Sequence, residues 1–145
     1  MPRRCPAPAI GNPARRDRHR SSDAGPLPSI DQRSEQHFCL QSALDALAAE
    51  DLKPLFGPRL LDRLAPLLQA QNRIAAEVAR TVRERELIGA AESDGLKTMQ
   101  SWLRGHAHLA DSEAARLAGA GRALEQLPAV AAGFADGAIT AGQVG

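Results

Sequence analysis

Two histidines separated by a single residue, His106 and His108, are the residues of this chain that come nearest to a metal site. Imidazole nitrogens bind zinc and other transition metals, but a site needs further ligands to complete its coordination. Neither a cysteine nor an acidic residue stands at ligand spacing from this pair. We therefore predict that both histidines lie exposed in a loop between helices and hold no metal.

Other residues that could do chemistry are equally isolated. The stretch Gly119-Ala120-Gly121 resembles part of a dinucleotide-binding fingerprint, but no strand precedes it and the third glycine is missing. It is more typical of glycines that let helices pack closely. Glu84 and Glu86 point to different sides of a helix, because residues two apart do not face each other. His19 and His37 stand alone. The sequence predicts no catalytic, cofactor-binding or metal-binding residue.

Trp102 is the sole tryptophan, and Leu103 follows it. A tryptophan beside a leucine on a short helix belongs to a core more often than to a ligand platform. If it is buried, we expect Trp102→Ala to lower the free energy of unfolding by about 3–5 kcal/mol.

The two cysteines, Cys5 and Cys39, form no CxxC pair and indicate neither a zinc site nor a redox motif. A disulfide between these two cysteines is one alternative, but a reduced, cytoplasmic protein is favoured. The basic N-terminus lacks the apolar segment of a secretory signal. The longest apolar stretch, Leu127 to Ala135, is too short to span a bilayer, so we expect no membrane partner.

The composition indicates how these residues are positioned. The chain of 145 residues has no tyrosine and few β-branched residues, but much alanine and leucine. Alanine and leucine favour helices over strands. We predict an all-α fold, an irregular helical bundle around one long helix, with a disordered N-terminal tail.

The charge is divided unevenly along the chain. Residues 1–34 carry seven arginines against three aspartates, or +4, and the remainder carries eleven basic against fourteen acidic residues, or −3. We predict a disordered, basic, Pro/Arg-rich tail at residues 1–33 and a helical domain at residues 34–145, incomplete at its C-terminus. The basic cluster Arg15–Arg20 could contact nucleic acid, but a solvated tail or an extension from a misplaced start codon is favoured.

The spacing of apolar residues predicts two helices in the first part of the helical domain. One runs from about Ser34, its predicted N-cap, to Ala49, and the second from about Pro58 to Gly89. Spacings of three and four residues form an a/d seam, which predicts that the second helix packs along its length. The seam comprises Leu61, Leu64, Leu68, Gln71, Ala75, Val78 and Val82. Pro66 lies inside and must kink the helix or restart it.

Shorter helices follow, and local signals predict their ends. Thr98 is a predicted N-cap and Gly105 a predicted end of one helix, and Asp111 or Ser112 is predicted to cap the next. Pro128 then opens a helix that closes at Gly137.

The last residues contain the start of a further helix. Thr140-Ala141-Gly142-Gln143 is a capping box, in which the glutamine bonds back to the threonine. Only Val144 and Gly145 follow, and so short a helix is unstable alone. We expect the chain to be the front part of a longer protein or the product of an interrupted frame.

The order and spacing of the second half resemble a known family. The elements that carry this resemblance are Thr98, Trp102-Leu103, Ala114-Ala115-Arg116-Leu117, Arg122-Ala123-Leu124, Leu127-Pro128, Asp136-Gly137-Ala138-Ile139-Thr140 and Gln143-Val144. Together they resemble the helical N-terminal domain of the thirteen-E-twelve repeat family (domain of unknown function 222), found mostly in actinobacteria and mycobacteria. The resemblance covers about Leu44 to Val144. In many members this domain precedes an HNH endonuclease domain.

The resemblance carries over no nuclease residues. An HNH site needs a general-base histidine, an orienting asparagine and a metal-binding histidine on a ββα hairpin. Asn12 and Asn72 are the only asparagines, and neither has a histidine at suitable spacing. We therefore do not expect this chain to be an enzyme, and it is predicted to need no cofactor.

Two hypotheses for function follow. The first is a non-catalytic helical module of an HNH endonuclease family protein, here without the nuclease domain, that positions the nuclease on DNA or mediates self-association. DNA would then be a partner only through the missing C-terminal domain. The alternative is a free-standing helical interaction or oligomerisation protein. An enzyme with an unrecognised site is the weakest hypothesis.

Overall fold

The computed structural model describes residues 30–144, and the regular elements within this range are all α-helices. The predicted all-α class is confirmed for this part of the chain. The predicted tail at residues 1–33 lies outside the described residues except for its last four, and so does the cluster Arg15–Arg20. The described residues divide into two units, one ending at Pro54 and the other beginning at Leu55.

The first unit contains helix α1, Ile30–Ala48. This helix begins four residues before the predicted start, so Ser34 lies inside the helix and the prediction that it is the N-cap was wrong. Pro28 is the last proline before α1. From Ile30 to Ala48 the sequence contains no proline, so every backbone N–H beyond the first turn can donate a helical hydrogen bond.

The second unit is built on helix α2, Gly57–Leu87, whose 31 residues make it the longest element of the described chain. Pro58 occupies the first turn, where its missing N–H would have no helical partner. Pro66 lies inside the helix without ending it. Helix α2 is continuous on both sides of Pro66, so the helix does not restart there.

Five shorter helices complete the second unit: α3 (Ala90–Ser93), α4 (Met99–His106), α5 (Asp111–Gln126), α6 (Pro128–Ala135) and α7 (Ala141–Val144). Helix α5 packs against both α2 and α4, and α6 packs against α2 and α5. Helix α7 contacts α2 and α5. The second unit is therefore an irregular helical bundle around one long helix, as predicted.

Two clusters of buried apolar side chains hold this bundle together. The first consists of Val82, Ala91, Met99, Leu103 and Ala114. The second consists of Ala76, Ala79 and Phe134. Leu117 of α5 packs against both clusters. Because many of the buried positions are alanines, the helices approach closely and the core is made from little apolar volume per residue.

Several predicted helix ends are confirmed by their hydrogen bonds. The Thr98 hydroxyl accepts a bond from the Ser101 backbone N–H at 3.1 Å and so caps α4. Gly137, which follows the C-cap residue Asp136 of α6, adopts a φ of 79°. The backbone N–H of Thr140 donates to the side-chain oxygen of Gln143 at 2.9 Å, which is the bond expected of the capping box.

Two predicted ends were wrong. Helix α4 continues past Gly105 to His106, and the left-handed residue that ends it is His108, with a φ of 54°. The Leu109 N–H then reaches back to the Leu103 carbonyl, which closes the turn without glycine. Helix α5 has Ala110 at its N-cap, ahead of the predicted Asp111 or Ser112. The Asp111 carboxylate instead binds Gln100 and Arg104 of α4.

Candidate interaction surface

The two histidines that were candidates for a metal site lie at the end of α4. His106 is the last residue of the helix and stacks on Trp102, with ring centroids 4.9 Å apart. His108 lies in the following turn, and both side chains are exposed. The prediction of a loop position is therefore right for His108 and wrong for His106. Within residues 30–144 no three His, Cys, Asp or Glu side chains form a group that could hold a metal ion.

The two glycines of α5 differ in their surroundings. A Cβ atom on Gly121 would lie 3.0 Å from the Ala79 carbonyl oxygen and 3.1 Å from the Arg83 Cβ. A Cβ atom on Gly119 would meet nothing within 4 Å. The predicted role in helix packing is correct for Gly121 only, because residues two apart on a helix face different directions.

Charged side chains join α2 to α5 beside this close contact. Arg83 donates to Glu125 at 2.7 Å and to Glu86 at 2.9 Å, and Arg122 also binds Glu86. The hydrogen bonds to Glu125 and then to Glu86 raise the pKa of Arg83. Glu84 is exposed on another side of α2, as the two-residue spacing predicts. These ion pairs fix two helices against each other.

Trp102 lies at the edge of the first core cluster and is partly buried. Its indole N–H donates to a carboxylate oxygen of Asp94 at 2.6 Å, and the Arg85 guanidinium lies 4.4 Å from the ring centroid. The neighbouring Leu103 is 5% exposed and belongs to the core. The predicted core position therefore fits Leu103 fully, whereas Trp102 also has a polar partner at the surface.

Two depressions on the second unit bring polar side chains together. A wide, open one of about 600 Å³ at the end of α4 is lined by Ser101, Arg104, Gly105, His108, Leu109 and Asp111. Three of its polar side chains are already engaged, since the Ser101 hydroxyl lies 3.0 Å from that of Thr98 and Arg104 lies 3.2 Å from Asp111. A narrower one of about 260 Å³ lies among α2, α5 and α6. Its apolar floor includes Leu124 and Phe134.

The predicted a/d seam of α2 is divided into a packed half and an exposed half. In the C-terminal half, Val82 is buried and Ala75 packs against the second core cluster, whereas Val78 is 42% exposed at the edge of the packed face. In the N-terminal half the leucines remain largely open to solvent: Leu60 is 39% exposed, Leu61 68%, Leu64 48% and Leu68 49%. The prediction that α2 packs along its whole length was therefore wrong for its first half.

The division occurs where the turn after α6 meets α2. The Gln69 side chain donates to the Asp136 carbonyl at 3.0 Å, and the Asn72 side chain donates to the Gly137 carbonyl at 3.1 Å. We call the four exposed leucines, Leu60, Leu61, Leu64 and Leu68, the leucine face. The a/d spacing could not reveal this division, because it is the same in both halves of the seam.

The leucine face is large enough to serve as a binding surface. A fully buried leucine removes on the order of 100 Å² of apolar surface from water, so the four partly exposed side chains and the neighbouring Phe56 present about 300 Å². Phe56, just before the helix, is 64% exposed, with the Arg59 guanidinium 5.8 Å from its ring centroid. Apolar patches of this size on single chains are often functional.

The chain matches no protein-family model, no curated protein and no solved structure. The resemblance to the thirteen-E-twelve repeat family therefore stays a prediction. Among the helices of residues 30–144, none is both long enough and apolar enough to cross a membrane.

Proposed function

We propose that this chain is a helical protein-binding module, and that the leucine face of α2 is its binding surface. The observation that carries the proposal is the exposure of Leu61, Leu64 and Leu68 at 48–68% on one helix face. Leaving several leucines in water forgoes on the order of 1 kcal/mol for each half-exposed side chain. A partner that covers the face recovers this free energy.

The spacing of the leucines supports a helix as the partner. Residues 61, 64 and 68 are three and four apart, which is the spacing of a seam that receives the side chains of another helix. A partner β-strand would present side chains two residues apart, which does not match this spacing. A nucleic acid would need cationic side chains on the face. The proposed recognition is therefore that of one helix face by another.

Four arginines of the second unit are already engaged and are poor candidates for binding DNA phosphates. Arg80, Arg83, Arg104 and Arg122 are all paired with carboxylates of the same chain. Neutralising DNA phosphates would require these cations to leave their partners. In the proposed context, a module of an HNH endonuclease-like protein in the cytoplasm, DNA would be bound by the nuclease domain and not by this unit.

The alternative is that the chain is a free-standing interaction or oligomerisation protein. The leucine face would serve as the binding surface in this protein as well as in a nuclease module. The genomic DNA that follows the codon for Gly145 separates the two. An in-frame or frameshifted continuation that ends in a His-Asn-His hairpin supports the nuclease module. A stop codon with no such remnant favours the free-standing protein.

Photo-crosslinking in the cells that naturally produce the protein tests the binding surface. Leu61 is replaced by benzoylphenylalanine in one variant, and Ala70, exposed on the opposite side of α2, in a matched control. We expect a protein crosslink at position 61 that is absent at position 70. Equal crosslinking at both positions, or none at position 61, would contradict the proposal.

A further inference from the structure

We infer that the leucine face is a homodimerisation surface, on which a second copy of this chain packs its own α2 in the antiparallel direction. This inference rests on the proposed function and specifies its partner. It depends on the charges beside the face, on where the bundle lies along α2, and on the apolar area.

No charge on α2 opposes pairing of the leucine face with itself. In coiled coils the residues beside the seam select the partner through their charges. On the first half of α2 these flanking positions are uncharged: Leu60, Ala65, Leu67 and Asn72. The nearby charged residues, Arg59, Asp62 and Arg63, occupy positions further round the helix. Two identical faces can therefore meet without bringing like charges together.

The position of the bundle along α2 selects the antiparallel direction. From Ala75 onward this side of α2 packs through Ala75, Ala76 and Ala79 against side chains of α5, α6 and α7, with Val78 at its exposed edge. A parallel partner would carry its own bundle along this covered half, where the two bundles would collide. An antiparallel partner places the two bundles at opposite ends. With a two-fold axis near Leu64, Leu61 of each copy then lies opposite Leu68 of the other.

The area indicates a weak dimer. Two leucine faces with their Phe56 side chains would bury about 600 Å² of apolar surface, and a total of roughly 1,000 Å² once the polar rim is counted. This total is at the lower limit for specific interfaces. We therefore expect a dissociation constant in the micromolar range.

Sedimentation equilibrium of the full chain in reducing buffer, from about 1 to about 500 µM, tests the inference. We expect the wild-type chain to dimerise, and Leu61→Glu and Leu68→Lys each to raise the dissociation constant by about 100-fold or more. An equimolar mixture of the two variants should dimerise again, because Glu and Lys then face each other in the antiparallel pair. Ala70→Glu, on the opposite side of α2, should dimerise like the wild type. Far-UV circular dichroism checks that each variant is folded.

Three results would overturn the inference. One is a wild-type chain that stays monomeric throughout this range, and another is a dimer that Leu61→Glu does not weaken more than Ala70→Glu does. The third is a mixture of the two charged variants that stays monomeric, which excludes the antiparallel pair. If the chain is monomeric and position 61 crosslinks to a different protein, the partner is not a second copy of this chain. The proposed function, binding of a protein by the leucine face, would still hold. The absence of a selective crosslink would contradict the proposed function itself.

Discussion

The indole N–H of Trp102 donates a hydrogen bond to a carboxylate oxygen of Asp94, with the two atoms 2.6 Å apart. Asp94 follows α3, and Trp102 lies on α4, so this bond joins two consecutive elements. Arg85 of α2 lies over the indole ring and 3.9 Å from the Asp94 carboxylate. One partly buried side chain therefore holds three elements in contact.

Removing either partner of this bond should destabilise the fold by a similar amount. Trp102→Phe keeps an aromatic ring but loses the N–H and part of the indole surface, and Asp94→Ala loses the acceptor together with its contact to Arg85. We expect each substitution to lower the free energy of unfolding by about 1 kcal/mol, because the bond is charge-assisted but near the surface. The double variant should cost little more than either single variant, since the bond can be lost only once. Urea unfolding followed by circular dichroism measures all three.

Additive costs in this cycle would mean that the two side chains act independently. Trp102→Ala provides a separate measure of packing. We expect it to cost about 2–3 kcal/mol, less than the 3–5 kcal/mol expected of a fully buried aromatic side chain, because Trp102 is only partly buried. A larger loss would support the original prediction from the sequence.

The glycines of α5 should respond to alanine with opposite signs. Gly119→Ala should stabilise the protein by about 0.5–1 kcal/mol, because alanine favours a helix and the added Cβ meets nothing within 4 Å. Gly121→Ala should destabilise it by about 1–2 kcal/mol, because the added Cβ would lie 3.0 Å from the Ala79 carbonyl oxygen and push α5 from α2. Thermal unfolding of the two variants tests this. If both substitutions stabilised the protein, α2 would be able to move away from the added Cβ of residue 121 without a loss of stability.

The features predicted correctly from the sequence are those determined by neighbours along the chain. Thr98 caps α4 with its own hydroxyl, and Gln143 binds the backbone of Thr140 three residues earlier. Gly137 supplies a left-handed backbone conformation just after the C-cap of a helix. In each case the partner is only a few residues away, so residue type and spacing are sufficient.

The features that were missed depend on residues far apart in the sequence. Asp111 was expected to cap α5, but its carboxylate is bound by Gln100 and Arg104 on α4. The exposed leucine face was missed because its spacing equals that of the buried half of α2. Only the contact of Gln69 with Asp136, 67 residues away, shows where the packed half begins. Periodicity identifies an apolar face but does not say what covers it.

Glu86 should contribute a salt-dependent part of the stability. It accepts bonds from Arg83 on its own helix and from Arg122 on α5. We expect Glu86→Gln to lower the free energy of unfolding by about 0.5–1 kcal/mol at low salt, and by less in about 0.5 M NaCl, because screening weakens partly exposed ion pairs. Glu84→Gln, at an exposed position of the same helix with Arg80 as the nearby cation, is the control and should have the smaller effect. A loss that is independent of salt would assign the role of Glu86 to packing.

The pH dependence of the Arg83 ion pairs has a definite sign. Hydrogen bonds to Glu125 and Glu86 raise the pKa of Arg83 in the folded chain. A raised pKa stabilises the fold fully below the pKa of arginine in the unfolded chain, and this contribution is lost only as the pH rises through the folded value. The titration of Arg83 should therefore add no slope to stability between about pH 6 and pH 9. Urea unfolding of wild type and Arg83→Gln should show a stability difference that is constant across this range. A difference that changed through this range would assign the effect to another titrating group.

Gly137 should be the least replaceable glycine of the second unit, and Gly95 is its matched control. Both have positive φ angles, 79° and 75°, so alanine strains the backbone at either position. At Gly95 an added Cβ meets nothing within 4 Å, and we expect Gly95→Ala to cost about 1 kcal/mol. At Gly137 it would lie 2.6 Å from the Gln69 carbonyl oxygen. Alanine there must move the turn away from α2 and break the bonds from Gln69 and Asn72, so we expect a cost of about 3 kcal/mol or more. Urea midpoints at unchanged slope measure the difference, and equal costs at the two positions would show that the turn does not depend on its contact with α2.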